Sequence, residues 1–453
     1  MRRFPTWLAL VVISAGTASL GSANPVAAQA VQPNILVIVT DDQRAGTLGL
    51  MPAVRRWLVR GGTRYPNAFA TTPLCCPSRG SILTGLLAHN HGLLLNKNEE
   101  DAMIAAESLM VQHALRSGAY LTGLFGKYLN FWPNDRNPSG WDRWAVTPRV
   151  RYSGAEWNVD GVVHVIQRNS TPFVASRALN FLEEADALND QQPWFAHVGF
   201  HAPHLPARVP AAYTDEPVPT WQRTPAQRER DFSDKPAWLR RSQRPSLDVL
   251  ANIRTRQLRS LVPLDDQIDR IMFRLEDLGE LDDTLVIYAS DNGFMWGDHG
   301  LAAKSAPYDA SIRVPLLVRW PGRVPAGAAD TRLVGLLDVT PTILTAAGVP
   351  FPHEMDGADL LGGVARRRLP LEFWDVDSGV PSWRAVLTRR WIYVEYLDDA
   401  GRRTGRECYD RARDPHQLAN VLRDGIRGNE PNLARLAELV LRLSSCSGAD
   451  CLD

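Results

Sequence analysis

Pro33-Asn34-Ile35-Leu36-Val37-Ile38-Val39-Thr40-Asp41-Asp42 runs five aliphatic residues in a row up to a pair of carboxylates. A run without polar alternation is the pattern of a strand buried on both faces, as in a parallel sheet covered by helices. The two acids then stand at the strand's C-terminal end, the edge where open α/β sheets place ligands. Similar runs recur at 121–125, 194–199, 285–289 and 315–318, with helical patterns between them at 51–60, 108–116, 172–185, 246–278 and 336–347. Pro263 is expected to break or kink the fourth of these helices, because it lacks an N–H and clashes with the preceding turn. The fold class read from this alternation is α/β, a large and mostly parallel sheet flanked by helices.

From about residue 371 the pattern changes to short strands at 385–388 and 391–396 and a closing helix at 431–443, read as a smaller C-terminal α+β subdomain. Residues 31–370 form the catalytic domain in this division, and 371–453 the subdomain. Residues 203–245 hold eight prolines among many Arg and Trp, which predicts an irregular surface segment, a wall over the pocket.

Residues 1–30 read as an export signal: Arg2 and Arg3, an apolar stretch from Trp7 to about Leu20, then Ala28-Gln29-Ala30 as a small-x-small cleavage pattern. A retained N-terminal anchor is the alternative. No later stretch reaches the roughly 20 apolar residues that span a bilayer. Lys+Arg and Asp+Glu both total 50, so no charge excess points to nucleic acid or a membrane surface. Of five cysteines, Cys446 and Cys451 are spaced to close a small disulfide loop, Cys408 has no evident partner, and the adjacent Cys75 and Cys76 are poorly placed to bridge each other.

A second acidic pair, Asp291-Asn292, ends the strand at 285–289. Asp41, Asp42, Asp291 and Asn292 would share one sheet edge, and three carboxylates with an amide oxygen suit a hard cation such as Ca²⁺ or Mg²⁺. Either pair alone reads as readily as a helix cap or a turn. Cys75-Cys76-Pro77-Ser78-Arg79-Gly80-Ser81-Ile82-Leu83-Thr84-Gly85 places Pro77 in the first turn of a helix, with Cys75 at the N-terminal end that favours anions and Arg79 a turn away. By itself such a cysteine reads as a buried structural thiol.

Cys-x-Pro-Ser-Arg-x-x-x-Leu-Thr-Gly from Cys75 to Gly85 resembles the sulfatase family signature without a mismatch. The resemblance continues through the Asn34–Gln43 stretch, Gly126-Lys127-Tyr128-Leu129-Asn130, Ala202-Pro203-His204, Ser290–Gly293 and Lys304, and looks closest to the N-acetylglucosamine-6-sulfatase branch. It implies an alkaline-phosphatase-like fold and oxidation of Cys75 to formylglycine (3-oxoalanine) by a formylglycine-generating enzyme. It also implies one Ca²⁺ held by Asp41, Asp42, Asp291 and Asn292, with the modified Cys75 completing the sphere. Arg79 would orient the hydrated aldehyde, Lys127 and Lys304 would clamp the sulfate, and His204 would stand near the leaving oxygen of a sulfated carbohydrate. Only four residues are lysine, and two of them, Lys127 and Lys304, fall in these motifs; Lys97 and Lys235 read as surface.

Many sulfatases carry His two residues after the first clamp lysine; here that residue is Leu129. The base that deprotonates the hydrate is therefore open, with Asp291 one candidate and His201, His197 and His299 weaker ones. His197, inside a strand, reads as a satisfied structural histidine; His299 reads as bordering the pocket; His89 and His91 read either as sugar contacts or as plain surface. The rival functions are an arylsulfatase, a phosphonate monoester hydrolase of the same superfamily, and a sulfated-glycan-binding protein in which Cys75 stays a thiol.

Overall fold

The computed structural model describes residues 1–2, 4–11, 32–188, 192–363, 365–374, 378–426 and 428–452. Two compact units divide the chain at Val31/Gln32. The described residues of the first unit contain no helix or strand. Most of the apolar stretch and the Ala28-Gln29-Ala30 pattern lie outside the described residues. Among those described, no helix is long and apolar enough to cross a membrane.

The second unit is built on a ten-stranded sheet. Its strands in chain order are β1 (Asn34–Asp41), β2 (Thr63–Arg64), β3 (Leu121–Gly126), β4 (Arg143–Val146), β5 (Ala155–Val159), β6 (Val162–Ile166), β7 (Trp194–Pro203), β8 (Thr284–Ser290), β9 (Leu316–Arg319) and β10 (Ala328–Ala329). The spatial order is β10-β2-β9-β8-β1-β7-β3-β4-β5-β6. β8, β1, β7, β3 and β4 run parallel, while β9 and the β5–β6 ribbon are antiparallel to their neighbours.

The aliphatic run of β1 is divided between two cores. Ile35, Val37 and Val39 face a layer containing α1 (Cys75–Thr84) and α4 (Val339–Ala347). Leu36 and Ile38 face α2 (Ser170–Leu188) and α3 (Leu247–Asp277). Both faces need apolar side chains, which is why the run does not alternate. Burying one such aliphatic side chain contributes about 1.5–3 kcal/mol, so a single polar replacement here is costly.

Pro263, expected to break or kink its helix, does not break it: α3 is continuous from Leu247 to Asp277 and buries Pro263. Leu258, Leu261, Leu264, Ile268, Ile271 and Leu275 lie on either side of the proline in one core, and this shared packing offsets the hydrogen bond that the proline removes.

The C-terminal part is an antiparallel sheet of four strands, β11 (Arg368–Phe373), β12 (Trp383–Thr388), β13 (Trp391–Leu397) and β14 (Arg403–Asp410), in that order. The helix α5 (Leu433–Leu443) covers it through Leu436, Val440 and Leu443. Phe69, Leu87, Met295 and Tyr308 from earlier in the chain share that core. Cys446 and Cys451 form a disulfide, and Cys408 is a buried free thiol. The segment 203–245 is irregular apart from short turns at Ala211–Tyr213, Pro225–Arg228 and Ala237–Arg241.

Candidate active site

β1 and β8 pair in parallel register, Thr40 opposite Ser290, so their acidic ends arrive level. Asp42 leaves the strand at φ 66°, in the left-handed region that a short polar side chain tolerates. Its N–H donates to Asp291 Oδ1 at 3.2 Å, and Asp291 N–H donates to Thr40 O at 3.0 Å. Asn292 Nδ2 donates to Asp42 Oδ1 at 2.6 Å. All four side chains are buried.

α1 brings Cys75 to this edge from the other side of the strand ends. Leu74 is extended and offers no side-chain cap, so the first N–H groups of the helix lack that partner. All ten residues of α1 are buried, and Gly85 ends it at φ 74°. The helix is locked to β8 by Ser78 Oγ donating to Asp291 O at 2.5 Å and Arg79 Nε donating to Asp291 Oδ2 at 2.9 Å. Arg79 Nη1 donates to Lys127 O at 2.7 Å, while Nη2 has no hydrogen-bond partner.

Lys127 needs two glycines. Gly126 sits at φ 101°, and a Cβ there would fall 1.9 Å from Gly199 O; a Cβ on Gly199 would fall 2.3 Å from Lys127 O. Only bare backbone lets β3 and β7 approach so closely, and the turn then sends Lys127 Nζ to Asp41 Oδ2 at 2.6 Å. Lys304 follows the hairpin strand Leu301–Ala303, between two left-handed residues, Ala303 at φ 73° and Ser305 at φ 82°. Its ammonium donates to Asp42 Oδ1, to Cys75 Sγ at 2.6 Å and to Asn292 Oδ1 at 3.3 Å. His204 Nδ1 hydrogen-bonds Leu205 O at 2.5 Å, and Nε2 faces Asp42 Oδ2 at 3.7 Å.

The nine residues expected to hold the cation or act on the ester thus converge on one place: Asp41, Asp42, Cys75, Arg79, Lys127, His204, Asp291, Asn292 and Lys304. Asp41, Asp42, Cys75 and Asp291 each offer a ligand atom within 4.8 Å of the others. Two of the expected cation ligands, Asp42 Oδ1 and Asn292 Oδ1, together with Cys75 Sγ, already hold an ammonium, so the donor set fits a hard cation. The site opens on one side. His204 is 29% exposed and Lys304 11%, against 4% for Lys127 and 1% for Arg79.

The charges here nearly balance: Asp41, Asp42 and Asp291 against Arg79, Lys127 and Lys304. Burial alone would raise Asp41, but Lys127, His204, Lys304 and Arg79 outweigh it and hold the carboxyl well below its usual range. Burial, then Asp41, pushes the Cys75 thiol up. Burial and Asp41 also raise Asp291. An added divalent cation would leave the site positive, which suits an anionic ester.

Other histidines and one lysine depart from expectation. His91 is buried beneath α1, within 3.2 Å of Ser81 Oγ, and His89 pairs with Glu372 at 2.6 Å and meets Cys446 O, so neither is plain surface. His299 pairs with Glu229 at 2.6 Å, lies against the Tyr308 ring and lines a pocket with Arg44 and Ala45. His197 is buried with neither ring nitrogen hydrogen-bonded, so it is structural but not satisfied. Lys235 is fully buried, donating to Tyr409 Oη at 3.1 Å, Gln417 O and Leu418 O. A lone lysine in a proline-rich segment gave no hint of partners some 170 residues later. Tyr152 was also passed over; its Oη donates to His201 O and His204 O and fixes the turn that carries His204. No local motif announces such a support.

Two family models match this chain: "Sulfatase" over residues 33–349 and "N-sulphoglucosamine sulphohydrolase, C-terminal" over 297–438. An extracellular sulfatase SULF-1 homolog of Drosophila melanogaster is 33% identical over 347 residues, covering 73% of this chain and 31% of that protein. Human N-acetylglucosamine-6-sulfatase is 32% identical over 366 residues, 74% of this chain and 65% of its own length. The chain therefore spans between about a third and two thirds of these curated relatives. A solved structure described as a complex with its substrate, D-glucosamine-2-N,6-O-disulfate, superposes with a TM-score of 0.75 at 22% identity, covering 90% of this chain and 97% of that one. That likeness shows a shared fold. With the signature helix, the acidic edge and the family match over 33–349 in agreement, the chain belongs to the sulfatase family.

Proposed function

We propose that this protein removes sulfate from a sulfated sugar, with 6-O-sulfated N-acetylglucosamine as the favoured substrate class, using a formylglycine made from Cys75. The observation that carries the reading is the contact of Cys75 Sγ with Lys304 Nζ at 2.6 Å and Asp41 Oδ1 at 3.3 Å, inside a cage of three carboxylates. The names of the relatives support the sugar and the position of its sulfate. Export through residues 1–30 is part of the proposal, supported by the Cys446–Cys451 disulfide and by the extracellular relative.

Once oxidised and hydrated, residue 75 supplies an oxygen nucleophile, and its second hydroxyl offers a route to expel sulfate that Cys or Ser lacks. Asp41, Asp42, Asp291 and Asn292 would hold Ca²⁺, which when bound supplies Lewis-acid polarisation and a template. Arg79, clamped between Asp291 and Lys127 O, fixes the orientation of residue 75. Lys127 and Lys304 flank residue 75 and stabilise the charge of the transferring group. His204 and Lys304 stand on the open side, where the sugar leaves. Leu205 O engages Nδ1 of His204, so Nε2 is the atom left to carry a proton to the departing oxygen. Leu129 is buried in the core and cannot act as the base.

Turnover measured in parallel tests the reading, as sulfate release from 6-O-sulfated N-acetylglucosamine and an aryl sulfate and as alcohol release from a phosphonate ester. The sugar ester should turn over with the highest kcat/KM; a preference for the phosphonate would overturn it.

A further inference from the structure

The edge that carries the acids continues past β8 into a second feature that the reaction does not use. β9 is antiparallel to β8, with Leu316 opposite Ala289, so the residues entering β9 lie beside the end of β8 that leads to Asp291 and Asn292. Gly293 N–H donates to Ser311 O at 2.8 Å, and a Cβ on Gly293 would meet Arg313 O at 3.0 Å, which brings Arg313 against the acidic turn. From there a cavity of about 570 Å³ runs between the loop after β1, which it reaches at Ala45, and the strand ends of β2 and β10.

Its lining is chemically one-sided. Three arginines, Arg55, Arg64 and Arg313, border it, and no acidic side chain does. Arg55 and Arg64 are exposed. Two neighbouring arginines are paired, Arg56 with Asp269 and Arg44 with Asp298. Arg313 has only Asp309 at 3.5 Å, and its buried Nε makes no hydrogen bond. The rest of the wall is small and apolar, including Leu48 and Val59, surfaces that accept the C–H face of a sugar ring.

We propose that this groove binds a second anionic group, a sulfate or carboxylate on the sugar unit next to the one that loses its sulfate, so that the enzyme selects oligosaccharides over monosaccharides. The inference rests on the sulfated-sugar reading above. Guanidinium forks match sulfate and carboxylate in two-point contacts, and of the three arginines that border the groove Arg313 alone faces an acid, Asp309 at 3.5 Å.

The test uses the full chain, and its probe is an oligosaccharide of alternating uronate and N-,6-O-sulfated glucosamine, set beside the 6-O-sulfated monosaccharide. In Arg55→Ala/Arg64→Ala, the Kd for the oligosaccharide should rise about tenfold, its salt dependence should flatten, and the oligosaccharide-to-monosaccharide ratio of kcat/KM should fall. Arg151→Ala/Arg168→Ala removes two exposed charges near the opposite, β5–β6 edge and should leave the oligosaccharide Kd within about twofold. An unchanged Kd in the first variant, or an equal loss in both, overturns the groove. If the wild type releases sulfate from neither sugar, the proposed function fails, while the binding arm still decides the groove.

Discussion

Two buried polar clusters in this molecule have similar ingredients and opposite designs. In the first, at the ends of β1 and β8, three carboxylates and three cations surround Cys75, and hydrogen-bonding capacity is left over: Arg79 Nη2 has no partner and the Lys304 ammonium rests partly on a thiol. In the second, Glu407 accepts from the hydroxyls of Tyr308, Tyr396 and Tyr409, Lys235 donates to Tyr409 and two carbonyls, and Glu229 takes Lys235 and His299. Its principal charged groups are closed off. Burial of charge is costly in both. The second cluster recovers that cost in hydrogen bonds and ties the 203–245 segment to the C-terminal sheet. The first holds unspent capacity that a cation and an anionic ester can use.

The contrast breaks most easily at Cys75. Cys75→Ala should lower sulfate release at least about 10³-fold while the melting temperature stays near that of the wild type. Retained turnover would put the nucleophile elsewhere. Chelation comes next: removing divalent ions should reduce activity and melting temperature together, because three clustered carboxylates lose a compensating charge. A melting curve and a rate both indifferent to chelator would contradict the cage.

The second cluster should respond in the opposite sense. Lys235→Ala leaves two buried carbonyls without their donor and Glu229 with His299 alone, and should cost about 3–5 kcal/mol of stability, read by denaturant unfolding, with kcat per folded molecule preserved. A catalytic loss without a stability loss would erase the distinction between the clusters.

The smallest effect sits where the two halves meet, at His89 and Glu372. Burial would lower His89, but the hydrogen bond and charge of Glu372 outweigh it and raise the imidazole to about 9. A folded value above the unfolded one, near 6.5, means the contribution is full below that pH and fades as pH rises through about 9. His89→Gln should therefore be destabilised by on the order of 1–2 kcal/mol at pH 6 after solvent screening, and the gap should close by pH 10. A gap independent of pH would assign the effect to packing.

The acidic edge was legible because its signals are local. A double-buried strand needs the unbroken run Ile35–Val39, the acids follow directly, and the helix signature is contiguous from Cys75 to Gly85. The β5–β6 ribbon escaped a search for apolar runs because β6 is largely exposed, although Asp160 at φ 48° and Gly161 at φ 92° form the two-residue turn that marks a hairpin. Strands β11 and β14 were missed for another reason: their fit depends on neighbours across the sheet. Lys235, His89 and Tyr152 were illegible in principle, since their partners are close in space and far along the chain. Pro263 shows the same limit from the other side, a strong local rule overridden by the packing of α3 on the sheet.

The central claim is that the unspent capacity of the first cluster serves an aldehyde at residue 75. Preparations with graded conversion, made with and without a formylglycine-generating enzyme, test it when the mass of the Cys75 peptide is measured beside the specific rate of sulfate release. The rate should be proportional to the converted fraction and zero at no conversion; equal rates across that series would exclude the aldehyde as nucleophile.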